Sequence, residues 1–152
     1  MQRGVTVLAT AGDVSYYRDL VTRPYRIHPD EQQRKPREPK FQLIDGTHIL
    51  DDGSQRLEFH EYDFSTHVDE LVLPYVPSHK LIVTADQVYV LRDEAIGPAS
   101  GRERAMHRVV KERKLDVQNI MQTWFLSRSD SQVPYSVLED KVRLAEEKEA
   151  AK

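Results

Sequence analysis

Two side chains stand where they could hold a metal ion between them. His67 lies four residues before the apolar run Leu71-Val72-Leu73-Pro74-Tyr75-Val76, and Asp86 directly follows Leu81-Ile82-Val83-Thr84-Ala85. Pro77-Ser78-His79-Lys80 reads as the turn between the two runs, which makes them an antiparallel hairpin. If Val76 pairs with Leu81, counting back along both strands puts Asp86 opposite Leu71, at the open end. A bend at Asp63-Phe64-Ser65-Thr66 then brings the His67 imidazole and the Asp86 carboxylate within reach of one ion. Both are good donors to a borderline metal such as zinc. Two donors are too few to hold it, because zinc normally takes three or four from protein.

The other titratable residues carry less. His60 with Glu61 could join such a site, but the alternation of their strand reads His60 as an outward-facing residue. His28, His48, His79 and His107 fall in loops, turns or on a basic helical face, where solvated or structural roles are the default. Asp63 and Asp69 read as loop polarity or as outer partners of His67. The basic cluster Arg34, Lys35, Arg37 and Lys40 has one flanking aromatic, Phe41, and two interleaved prolines, which suits a solvated linker better than a nucleic-acid surface. There is no Gly-rich phosphate loop, no Gly-x-Ser-x-Gly elbow and no His-Glu-x-x-His helix.

The elements that must position these residues follow from periodicity. Residues 4–9 read as a short buried strand, Asp13 as an N-cap, and Val14, Tyr17 and Val21 as the stripe of a helix stopping before Pro24. Four prolines make residues 24–40 a long loop. Residues 41–50 form a strand region, and Asp51-Asp52-Gly53-Ser54 turns it into a return strand, with Leu57 and Phe59 on one face and Arg56, Glu58 and His60 on the other. Pro74 predicts an edge strand or an outward position. Ser100 and Glu103 form a capping box ahead of Met106, Val109 and Val110. A strand-like piece covers residues 117–126. Ser136 and Glu139 form a second capping box, opening a helix that buries Leu138, Val142 and Ala145. The order strand, helix, four strands, helix, strand, helix predicts an α/β fold, a mixed β-sheet with flanking helices. A single domain is expected over residues 1–145, with 146–152 a charged, fraying tail.

The 152 residues suit one domain, and 31% charged residues leave a thin core. A net charge of −3 does not favour nucleic acid or an anionic membrane, so neither is expected as a partner. The absence of Cys rules out disulfides, thiolate ligands and a thiol nucleophile. With no signal-peptide plan and no membrane-length apolar run, a cytoplasmic setting is expected.

The run from Ser65 to Asp86 resembles the second metal-binding half of the metallo-β-lactamase-fold hydrolases. In these a His in a short loop precedes a strand ending in Tyr-Leu-Pro, and a following strand ends in a metal-bridging Asp. Arg3-Gly4-Val5-Thr6-Val7-Leu8-Ala9, Arg23-Pro24-Tyr25-Arg26-Ile27-His28-Pro29-Asp30 and Val133-Pro134-Tyr135 are similar to further segments, so the resemblance runs from about Gly4 to Val142. It implies the C-terminal half of an αββα sandwich, zinc as the cofactor of the intact family, His67 as a terminal ligand and Asp86 as a bridging one. The hallmark His-x-His-x-Asp-His is missing from this sequence, and in the family it would lie N-terminal to Gly4. The last metal His is missing too, its place reading Thr123-Trp124-Phe125-Leu126-Ser127-Arg128-Ser129-Asp130. The resemblance therefore implies a truncated hydrolase-like protein that does not hydrolyse substrate, or bind zinc stoichiometrically, as a lone chain. The alternative is an interaction module that dimerises or pairs with an N-terminal half, from which a partner chain could supply the missing motif and complete an enzyme.

Overall fold

The computed structural model describes residues 4–24, 27–92, 94–123 and 130–151. The chain divides into two compact units, residues 1–46 and 47–152. In the first, β1 (Thr6–Ala9) pairs in parallel with β2 (Lys40–Leu43), in the register Thr6↔Lys40 to Ala9↔Leu43. Parallel strands need a crossover, and α1 (Asp13–Thr22) with the short α2 (Glu31–Arg34) lies in it. Asp13 is the first helical residue rather than the cap: Gly12 holds the cap position without a side-chain bond. The helix stops as expected, with Arg23 already extended before Pro24. The proline-rich stretch is not all loop, because Asp30 caps α2 by accepting the Gln33 N–H at 2.9 Å.

The second unit is a six-stranded mixed sheet of β3 (Thr47–Asp51), β4 (Arg56–Tyr62), β5 (Leu71–Val76), β6 (Leu81–Thr84), β7 (Asn119–Gln122) and β8 (Gln132–Pro134), side by side in that order. Only β6 and β7 run parallel, joined through α3 (Gly101–Glu112). After β8 comes α4 (Tyr135–Ala150). Tyr62, Leu73, Tyr75, Ile82, Ile120 and Val133 of the sheet form one buried cluster with Met106, Val109 and Val110 of α3 and Leu138, Val142 and Ala145 of α4. The α/β class and the mixed sheet with flanking helices are therefore those expected. Among the described residues no helix is long and apolar enough to cross a membrane.

Several local readings are corrected. The expected strand over residues 41–50 is two strands in different sheets, separated at Gly46, whose φ of 69° favours glycine. Pro74 lies in an interior strand, but the β5–β6 register covers only Tyr75↔Ile82 and Val76↔Leu81, so Pro74 stands just past the ladder. The Ser136–Glu139 capping box does not form. The last helix begins at Tyr135 with no side-chain cap, and the Tyr135 N–H donates to the Gln118 carbonyl at 2.8 Å instead. Helix α4 continues to Ala150, through the charges expected to fray, and Glu149 pairs with Arg104.

The return strand is also inverted. His60 is buried and the exposed member is Leu57, because α3 and α4 cover the face of β4 that carries His60 and Tyr62. His60 Nε2 donates to Glu58 Oε2 at 3.0 Å, and its Nδ1 accepts from the Thr47 hydroxyl at 3.1 Å. Burial lowers its pKa from the ordinary 6.5, against the opposing charge of Glu58. Burial, followed by Lys111, lowers that of His107, which stacks on Tyr135 at 6.2 Å. A histidine with a depressed folded-state pKa costs nothing above its unfolded pKa and destabilises as pH falls through the window below it. We predict that the urea midpoint drops between pH 7.5 and 5.5, and that His60→Gln shrinks the drop. A midpoint that is flat or rises on acidification would refute this.

Candidate functional site: the His67–Asp86 pair

The predicted register is present, with Val76 opposite Leu81. Strand β6 ends at Thr84, and Asp86 lies in the bend just beyond it, at the mouth of the sheet. The bend is held on both sides. The Thr84 carbonyl accepts the Thr123 N–H at 2.9 Å and the Thr123 hydroxyl at 3.1 Å. Buried Gln122 accepts the Val90 N–H at 2.8 Å, and Val88 is buried in the core between these ties. Tyr89 donates its hydroxyl to Asp86 Oδ1 at 3.0 Å. Desolvation, then the bond to Asp86, raises the Tyr89 pKa above 10.0.

His67 arrives from the other side. Phe64 anchors its loop, packing 5.4 Å from Tyr62 and lying under the Arg108 guanidinium at 4.0 Å. Ser65 Oγ accepts the His67 N–H at 3.1 Å, a tight local turn. The result is His67 Nε2 at 3.8 Å from Asp86 Oδ2, with about two-fifths of each side chain exposed. That is too long for a hydrogen bond. It is close to the separation of about 3.3 Å between two donors on one tetrahedral zinc. Donor chemistry and spacing thus fit zinc as part of a ligand set. The number of donors does not: among the described residues no group of three or more His, Cys, Asp or Glu could hold a metal ion.

The other candidates lie elsewhere. His60 and Glu61 do not join the pair, since His60 is committed to Glu58 and Thr47. His48 is on β3 opposite Phe59, and His79 is in the turn between β5 and β6. Asp63 and Asp69 are exposed. The segment Trp124-Phe125-Leu126-Ser127-Arg128-Ser129, most of the place where the last metal His was sought, lies outside the described residues. Tyr89 and Gln122 are residues of this site that the sequence reading does not single out. Only Tyr89 had a sequence signal, an aromatic hydroxyl three residues after the carboxylate.

Among solved structures, the chain is similar to DIM-1 metallo-beta-lactamase, with 17% identity and a TM-score of 0.54 over 97% of this chain and 60% of that one. It is also similar to the metallo-beta-lactamase from Pontibacter korlensis, at 16% identity and a TM-score of 0.54 over 95% of this chain and 60% of that one. TMB-1 aligns at 14% identity and a TM-score of 0.53, over 97% and 60% respectively. No family model and no curated protein sequence matches the chain. At these identities the likeness is one of fold: the chain has part of the metallo-β-lactamase fold. It spans about 60% of the length of the metallo-β-lactamases it matches.

Proposed function

We propose that this chain is the C-terminal, Asp-bearing half of a metallo-β-lactamase-type hydrolase and is inactive alone. His67 is its terminal metal ligand and Asp86 its bridging one. The observation that supports this is the 3.8 Å approach of His67 Nε2 to Asp86 Oδ2 at the mouth of a sheet of that fold. In a complete site His67 and Asp86 would be two of the zinc ligands, and the zinc would supply activation of water for hydrolysis of an ester, amide, thioester or phosphoester. Two donors do not provide that, so no hydrolytic step is assigned to this chain's residues. Zinc titration by calorimetry should show only weak binding. Stoichiometric binding at micromolar affinity or tighter would contradict inactivity through missing ligands.

A second reading, an interaction module, has its own support. Leu50 and Leu57 face each other across the β3–β4 ladder with 44% and 38% exposure, on a hairpin whose outer strand edges the sheet. Exposed apolar pairs on the end strands of a sheet favour association, here with a second copy or with a separate N-terminal half. Light scattering on the sample used for calorimetry tests the homodimer, and a clean monomer at tens of micromolar would count against it.

A further inference from the structure

We infer that β3 pairs antiparallel with the β3 of a second copy of this chain, about a two-fold axis at Leu50, so that two sheets join edge to edge. This rests on the interaction reading above and commits it to one occupant, one strand and one register.

The six-stranded sheet ends in β3 on one side and β8 on the other. The two ends are built differently. Strand β8 has three residues and closes on Pro134. Shortness and proline are common means by which an end strand avoids a partner. Strand β3, Thr47-His48-Ile49-Leu50-Asp51, is longer and contains neither proline nor lysine. Four of its five residues are exposed, Ile49 and Leu50 among them.

Which backbone groups point outward follows from the hairpin. The Asp52 N–H donates to the Gln55 carbonyl at 3.2 Å, one step beyond the pair Asp51↔Arg56. Hydrogen-bonded and non-bonded pairs alternate along an antiparallel ladder. Leu50↔Leu57 and His48↔Phe59 are therefore bonded pairs, and the N–H and C=O groups of Thr47, Ile49 and Asp51 point away from β4. Pro74 agrees with this count. It stands opposite Phe59, whose backbone groups turn to His48, so no N–H is required of the proline.

Two copies of one strand related by a two-fold axis pair antiparallel, and the position of the axis decides which side chains meet. With the axis at Leu50, Ile49 of each copy exchanges backbone hydrogen bonds with the partner's Asp51. The two Leu50 side chains form a non-bonded pair, the kind in which side chains come closer. Leu57, Leu50, the partner's Leu50 and the partner's Leu57 then make one apolar row across four strands. On the same face His48 stands opposite the partner's Asp52. The hydrogen bonds of Asp52 to Ser54 and Gln55 all use Oδ1, which leaves Oδ2 to accept an imidazole N–H. The contact thus matches leucine to leucine once and imidazole to carboxylate twice. An axis at Ile49 would set His48 against Leu50 and leave Asp52 outside the ladder.

The test is sedimentation velocity on the full chain at tens of micromolar, with thermal unfolding of each variant followed in dilute solution. The unsubstituted chain should sediment as a dimer. Leu50→Glu sets two carboxylates face to face at the axis, and Ile49→Pro removes an outward N–H that β4 does not use. Each should weaken association by about tenfold or more. Because the chain has no cysteine, a single introduced thiol reports the register. Leu50→Cys should cross-link to a covalent dimer on mild oxidation, faster than Ile49→Cys, whose two copies stand about 7–8 Å apart on the diagonal. A dimer that survives both Leu50→Glu and Ile49→Pro would overturn the β3 contact while leaving a homodimer through another surface. Faster cross-linking of Ile49→Cys would overturn the register. A clean monomer of the unsubstituted chain would overturn this inference and the homodimer reading together.

Discussion

Glu103→Ala should lower the unfolding free energy by about 3–5 kcal/mol, the range for breaking a buried ion pair from one side. Glu103 Oε1 lies 3.1 Å from Lys141 Nζ, with the two side chains only 7% and 13% exposed. Its other oxygen accepts the Ser100 N–H at 2.7 Å and completes the capping box. Truncation would leave the Lys141 ammonium in a mostly dry place and release a first-turn donor of α3. It would also cut the charged tie between α3 and α4, beside the Ala99 N–H bond to the Lys141 carbonyl at 2.7 Å. Domains of this size are stable by about 5–15 kcal/mol, so the loss is a large share of the whole. The double variant Glu103→Leu, Lys141→Met should recover most of it, because removing both charges leaves neither uncompensated. Urea unfolding of the three proteins decides the matter. A single-variant loss below 1 kcal/mol would mean that the pair is effectively solvated.

What the sequence made legible was local. Asp51-Asp52-Gly53-Ser54 announced its hairpin because the Asp52 carboxylate accepts the Ser54 and Gln55 N–H groups, which helps hold its pKa down at about 2, and Gly53 takes φ 84°. The Ser100–Glu103 box was legible for the same reason, as a four-residue motif needing no tertiary partner. The β5–β6 register was legible because a short turn leaves few alternatives, and that register is what brought His67 and Asp86 together on paper. Other features depended on distant chain. The face that β4 buries was read backwards, because both of its faces carry large side chains and only the arrival of α3 and α4 chooses between them. Strand β8, three residues long, exists through its pairing with β7. The start of α4 is set by the Gln118 carbonyl, which carries the β7–β8 ladder one step beyond Asn119↔Pro134. Tyr89 was hidden likewise, because a hydroxyl three residues past a carboxylate acquires meaning only when the chain turns it back onto Asp86.

The second large effect expected is at the centre of the sheet. Ile82 is fully buried in β6, between Tyr75 of β5 and Ile120 of β7, and belongs to the cluster that α3 and α4 close. Ile82→Ala deletes atoms with no solvent to replace them and leaves a cavity among rigid neighbours, at a cost of about 2–5 kcal/mol. Ile82→Val removes one methyl group and should cost about 0.5–1.5 kcal/mol. The comparison bears on the site as well as on the core. Two residues after Ile82 is Thr84, whose carbonyl holds Thr123, and Asp86 follows on the same bend. If the bend is fixed by its own ties at Thr84, Val88 and Gln122, the valine variant should keep the His67 and Asp86 amide NMR signals in place at a reduced unfolding midpoint. Stability and donor geometry would then separate. If those signals moved as stability fell, the pair would be held by the core as a whole and not by those local bonds. Equal urea midpoints for Ile82→Ala and the unsubstituted chain would show that β6 is not where this fold buries its core.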